Sequence, residues 1–123
     1  MTDLSEGYSD IAIDHFEHPR NVGAMDEATV VGSSENPASG ASLELYFKLD
    51  EQGIVDRVTF MAHGCAAAIA AGSVSTELLK GRQLDKGITR DELAEALDGL
   101  PPSRKHAYRL VTDAVQDAAA SVT

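Results

Sequence analysis

Residues 43–49 narrow the fold of this chain more than any other segment. Leu43, Leu45, Phe47 and Leu49 alternate with Glu44, Tyr46 and Lys48, a period of two that marks a half-buried strand. Asp50-Glu51-Gln52-Gly53 supplies a turn, and Ile54 to Ala62 reads as the strand returning antiparallel to the first. A shorter apolar run from Ala28 to Ser33 is the candidate for a preceding strand.

Outside the hairpin the period changes to that of helices. Tyr8, Ile11, Ala12, His15 and Phe16 fall at helical spacing, with Ser9 or Asp10 as cap and Pro19 as stop. After Gly64, the stretch Ala66 to Lys80 is rich in alanine and carries Ile69, Val74, Leu78 and Leu79, with Gly81 placed to end it. Thr89-Arg90-Asp91-Glu92 has the form of a capping box and opens a short helix ending near Gly99. Pro101 and Pro102 precede a last helix whose buried stripe is Leu110, Val111, Ala114, Val115 and Ala118. Strands grouped early and helices late predict an α+β fold, a small three-stranded antiparallel sheet covered by helices on one face. The expected organisation is a single domain over residues 1–123, with residues 1–7 as a flexible acidic tail.

Composition removes several classes of function. A chain of 123 residues can build one core without disulfides or a structural metal. With 43% hydrophobic but only 5% aromatic residues, that core should be aliphatic. Twenty acidic residues against 10 basic ones leave a formal charge of −10, which repels phosphate backbones and anionic membranes. No nucleic-acid or membrane partner is therefore expected; a basic protein partner stays open beside the simpler role of keeping the chain soluble. Cys65 is the only cysteine, so no internal disulfide can form. The polar, acidic start lacks a signal-peptide layout and no apolar run reaches membrane-spanning length, which predicts a cytoplasmic protein.

Four separated segments carry a family likeness. They are 14–23 (Asp-His-Phe-Glu-His-Pro-Arg-Asn-Val-Gly), 36–41 (Asn-Pro-Ala-Ser-Gly-Ala), 60–70 around Gly64-Cys65, and 100–107 (Leu-Pro-Pro-Ser-Arg-Lys-His-Ala). In this order they resemble the NifU/IscU-type iron–sulfur cluster assembly scaffolds, and the likeness runs from about Tyr8 to Val115. The long insertion of zinc-bearing SufU-like relatives is missing, which points to the NifU/IscU branch. The resemblance implies the α+β order already read from the pattern, with ligand loops converging at one end of the sheet.

The same comparison implies a depleted ligand set. Where the family has Pro-Ala-Cys-Gly-Asp, this chain has Pro37-Ala38-Ser39-Gly40-Ala41; where it has His-Cys, this chain has His106-Ala107. Ser39, Ala41 and Ala107 thus stand at family ligand positions. A serine hydroxyl is a far poorer iron or zinc ligand than a thiolate, and Ser39 is expected to close its turn instead. Cys65 is retained at the start of a helix, where backbone N–H groups and the helix dipole favour a thiolate; a cysteine packed as a small hydrophobe is the plainer alternative. His106, with His63 sharing the Cys65 side if that backbone is extended, would complete a weak site for iron or zinc, and Glu35 is a further candidate. His15 and His18 are expected to pack or cap the first helix.

Ligand counting then shapes the function. A [2Fe–2S] cluster normally takes four protein ligands, and one chain offers two at family positions. The expectation is a scaffold-like protein with a degenerate site on Cys65, holding a labile cluster, a divalent metal or a persulfide, with a homodimer pooling ligands, or holding nothing at all. The alternative is an adaptor or regulator that keeps only the scaffold's partner surfaces. In the family the segment Leu100, Pro101, Pro102, Ser103, Arg104 is where an Hsp70-type chaperone binds; a helix-entry turn explains the prolines equally well. A cysteine desulfurase and an iron–sulfur client complete the implied partners. No second group is set by sequence to work with Cys65 as base, nucleophile or electrophile, so an enzyme is not expected.

Overall fold

Each strand and helix forms where a local pattern meets a partner that can bury its apolar side. The computed structural model describes residues 7–122, so the expected acidic tail, apart from Gly7, lies outside the described residues. In chain order the elements are α1 (Asp10–Glu17), β1 (Val30–Asn36), β2 (Ala41–Leu49), β3 (Val55–His63), α2 (Ala66–Leu79), α3 (Arg90–Leu97) and α4 (His106–Ser121). The strands form one antiparallel sheet in the order β1-β2-β3. Leu43, Leu45 and Phe47 of β2 turn into the core as their alternation requires. The hairpin turn is tied by the Asp50 carboxylate, which accepts from the backbone N–H groups of Gln52 at 2.8 Å and Ile54 at 2.9 Å.

Strand β1 begins and ends later than its apolar run suggests. Ser34, Glu35 and Asn36 continue it by pairing with Leu43, Ser42 and Ala41. These polar residues show no period of two; the β2 backbone beside them decides their conformation. Helix α4 covers the outer edge of β1. The Ser33 backbone N–H donates to the Asp117 carboxylate at 2.9 Å, and the Ser34 hydroxyl donates to the Leu110 carbonyl at 2.6 Å. An edge closed by a helix offers no free ladder to another strand. The outer edge of β3 is covered by the loop after α1, where the Gly23 N–H donates to the Phe60 carbonyl and the Phe60 N–H to the Asn21 carbonyl.

Alanine dominates α2 because this helix lies between the sheet and the other helices. Ala67, Ala68, Ala70, Ala71 and Gly72 are all buried. At Gly72 a Cβ would stand 2.6 Å from the Phe60 ring, so the helix approaches β3 as closely as a bare backbone permits. Glycine inside a helix costs about 1 kcal/mol relative to alanine, and the close packing on Phe60 offsets it. The capping box of α3 forms in full: the Thr89 hydroxyl accepts from the Glu92 N–H, and the Glu92 carboxylate accepts from the Thr89 N–H, each at 3.1 Å. Leucines, valines and alanines make most of the core, with Phe47 and Phe60 its largest fully buried side chains.

Candidate functional site

The site grows from the end of the sheet where β2 starts and β3 stops. Ser42 and His63 face each other across that end. Gly64 follows with φ +108°, and a Cβ there would lie 2.6 Å from the Ala41 Cα. Only glycine lets the chain turn in this space, and the turn presses the β3–α2 junction onto the loop that enters β2. The next residue, Cys65, is the N-cap of α2, but its side chain makes no capping hydrogen bond. The sulfur is left to face α4, where it stands 3.8 Å from His106 Nε2. Both Cys65 and His106 are half-buried.

Other side chains close around this pair. The Tyr8 phenol lies beside Cys65 and the Arg104 guanidinium; burial and the neighbouring sulfur push its pKa up, against the pull of Arg104. Gly7 packs on Pro101, so the chain entering α1 runs across the turn before α4. Next to His106 is a cavity of about 310 Å³, lined by Glu35, Asn36, Pro37, Arg109 and Asp113 among others. Arg109 pairs with Asp113 at 3.5 Å. Periodicity placed Tyr8 with the first helix, and nothing in the local sequence signals its contact with residues 65 and 104.

The remaining expected site residues fall as follows. Ser39 is exposed, and its hydroxyl accepts from the Ala41 N–H at 3.2 Å, closing the loop. Ala41 and Ala107 are fully buried methyl groups. His63 ends β3 on the exposed side, and the positive φ of Gly64 interrupts the extended backbone that would carry it to Cys65. Among the described residues no group of three His, Cys, Asp or Glu side chains gathers as a metal cage, so the structure brings together two donors rather than three. Leu100 is buried, Pro102–Arg104 form a 3₁₀ turn closed by the Arg104 N–H on the Pro101 carbonyl at 2.8 Å, and Pro102, Ser103 and Arg104 are exposed.

His15 packs α1 on α2. Its Nδ1 is hydrogen-bonded to the Ser73 hydroxyl at 2.8 Å, and the same hydroxyl oxygen accepts from the Arg20 backbone N–H at 2.9 Å. Nε2 stands 3.5 Å from the Glu77 carboxylate. Burial, then the Arg20 charge, lower the His15 pKa below its ordinary 6.5; Glu77 and Asp14 oppose them. Well above pH 6.5 the imidazole is neutral in both states and adds no pH dependence. Below it the unfolded chain binds the proton first, so stability is lost as pH falls towards the folded-state value. Urea midpoints should therefore drop from pH 6.5 downwards, with a smaller drop in His15→Gln. Equal drops in both proteins would remove His15 as the cause.

A three-stranded sheet carrying helices on one face, with a thiol and an imidazole meeting where two helices begin, defines a small α+β class. Known proteins sharpen this. The family described as NifU-like N terminal domain matches residues 7–122. The chain is 44% identical over 113 residues to iron–sulfur cluster assembly scaffold protein IscU 1 of Archaeoglobus fulgidus, across 90% of this chain and 73% of that one. It is 42% identical over 116 residues to the IscU scaffold of Azotobacter vinelandii, across 90% of both. Among solved structures, a putative scaffold for the SUF system from Fervidobacterium islandicum shares the fold with TM-score 0.75 at 20% identity, over 94% of this chain and 98% of that one. The N-terminal NifU-like protein of Brucella abortus does so with TM-score 0.74 at 19% identity, over 97% and 96%. The chain belongs to the NifU/IscU family of iron–sulfur cluster assembly scaffolds.

Proposed function

We propose that this chain is an iron–sulfur cluster assembly scaffold whose ligand site is reduced to Cys65 and His106. The observation that carries this reading is the 3.8 Å between Cys65 Sγ and His106 Nε2. A tetrahedral ion about 2.3 Å from sulfur and about 2.0–2.1 Å from nitrogen would hold two such donors about 3.6 Å apart. The pair therefore has the spacing of one edge of a metal site. Two protomers joined at this end would supply two thiolates and two imidazoles, the four ligands that a [2Fe–2S] cargo or a single iron or zinc ion requires. Homodimerisation thus belongs to the proposal, because one chain is two ligands short.

The same sulfur suits persulfide transfer from a cysteine desulfurase. The Cys65 thiolate would attack the outer sulfur of the donor persulfide, a new S–S bond forming at Cys65 as the old one breaks and the desulfurase cysteine leaves as a thiolate. No base or electrophile set beside Cys65 is needed, and we assign no enzyme activity. The exposed turn Pro102–Arg104 is the surface we assign to an Hsp70-type chaperone, with an iron–sulfur client as the acceptor of cargo. No helix of the described residues is long and apolar enough to cross a membrane. With one unpaired cysteine, we assign the cytoplasm as its compartment.

Anaerobic reconstitution with iron, sulfide and a desulfurase, read by visible absorption and metal analysis, tests the proposal. The expected result is about one iron and one sulfide per chain in a dimer, lost in Cys65→Ala. The buried methyls of Ala41 and Ala107 favour a second reading, in which cluster chemistry has been given up and the chain serves as adaptor or regulator. No bound metal in either protein, with desulfurase or chaperone binding unchanged by Cys65→Ala, would establish that reading and end the first.

A further inference from the structure

The chain that leads into α1 is a short strap across the segment between α3 and α4. At Ser9 the hydroxyl accepts from the Ala12 N–H at 3.0 Å and donates to the Leu97 carbonyl, which ties the start of α1 to the end of α3. At Gly7 the backbone lies on Pro101, where a Cβ would stand 3.1 Å from the proline ring. Tyr8, between these two contacts, is half-buried, and both it and Cys65 pack against the rim of the core. Its phenol lies beside the Cys65 sulfur and the Arg104 guanidinium. Cys65 thus has His106 of α4 for one neighbour and Tyr8 of the strap for another. The two are held differently. His106 opens a helix of 16 residues, whereas Gly7 and Tyr8 belong to no helix or strand and can lift away without breaking a ladder.

We propose that Tyr8 is a gate over the Cys65 sulfur, latched on Arg104, which lifts before a bulky partner reaches the thiol. The proposal rests on the reading of Cys65 as the working group of this chain and adds how access to it is governed. A guanidinium N–H donates to the phenol oxygen, so the latch is a charge-assisted hydrogen bond beside the apolar contact of Gly7 on Pro101. Arg104 belongs to the exposed turn Pro102–Arg104. A protein that takes this turn competes with Tyr8 for the guanidinium and frees the thiol. By linkage the reverse holds: a group attached to Cys65 displaces the phenol and frees the turn. One side chain thereby couples the sulfur to a partner surface. Arg104 has a second effect on the thiol, opposite in sign. As a nearby cation it favours the reactive thiolate and speeds alkylation, whereas as the latch of a gate it slows alkylation.

Alkylation rates of Cys65 decide between these effects. They are measured at one fixed pH on the reduced, metal-free full chain with two uncharged reagents, iodoacetamide as the small one and pyrene maleimide as the bulky one. Arg104→Gln and Tyr8→Phe should each speed the bulky reagent about tenfold, the effect of losing one charge-assisted hydrogen bond. The double variant should be no faster than either single one, because both remove the same latch. Tyr8→Ala should give at least the same gain, and iodoacetamide should gain less than the maleimide in every variant. Urea midpoints check that the variants fold; if Tyr8→Ala does not, the exposed substitution Arg104→Gln carries the test. Slower alkylation in Arg104→Gln would leave Arg104 as a charge on the thiol alone and overturn the gate. Unchanged rates would overturn it as well, as would equal gains for both reagents, which report general loosening. No metal enters these measurements, so their failure is distinct from a failure of the chain to retain iron on reconstitution.

Discussion

Gly32→Ala is expected to lower the stability of the fold by about 3 kcal/mol or more, at the top of the range for overpacking. A Cβ at residue 32 would stand 2.0 Å from the Ala114 carbonyl oxygen and 2.9 Å from the Ala118 backbone nitrogen. Both are backbone atoms of a helix, so no side-chain rotation relieves the clash. Either α4 lifts from β1, breaking the bonds from Ser33 to Asp117 and from Ser34 to Leu110, or β1 leaves β2. Small domains are stable by only about 5–15 kcal/mol, so the loss is a large share of the total. Gly53→Ala is the control. Unlike Gly32 it has a positive φ, +80°, but nothing lies within 4 Å of the added methyl, so only the backbone strain of about 1 kcal/mol should be felt. Urea unfolding of the two variants makes the comparison. Equal losses would mean that α4 does not lie on β1 at the described distance.

Gly64→Ala is expected to uncouple Cys65 from His106 while leaving the thiol chemically intact. The substitution meets the Ala41 Cα at 2.6 Å and the Gly40 carbonyl oxygen at 3.1 Å, and φ +108° is a strained conformation for any residue with a Cβ. The least costly relaxation rotates the β3–α2 junction, which carries the sulfur away from its 3.8 Å contact. Iron retained after reconstitution should fall about ten- to a hundredfold, the usual effect of losing the support behind a metal ligand. Circular dichroism should show the helices still present. Wild-type metal content in a folded Gly64→Ala protein would show that the pair does not depend on this turn.

Much of the fold was legible because it rests on local pattern. The alternation from Leu43 to Leu49, the capping box at Thr89 and the stripe from Leu110 to Ala118 each report the face that a residue presents to its own element. The end of β1 was not legible. Ser34, Glu35 and Asn36 are polar and aperiodic, and they are strand only because β2 offers its backbone. The same distinction divides the candidate site. Cys65 and His106 could be named from segments resembling a family, but no spacing along the chain tells that residues 41 apart approach to 3.8 Å. Tyr8 beside Cys65 carries no local signal at all.

What the amino-acid sequence determined by itself was the kind of elements, their order and the supply of donors. Periods of two and 3.6, caps and turns are properties of neighbouring residues, and a single cysteine limits the thiolates to one per chain. Tertiary structure decided which donors meet. It left His63 exposed at the end of β3 and Ser39 closing its own loop; it also brought His106 to Cys65 by starting α2 and α4 at a common corner. Contacts of that kind depend on close approaches between distant backbones, such as Gly64 on Ala41 and Gly32 on Ala114, which exist only once the sheet and helices have packed.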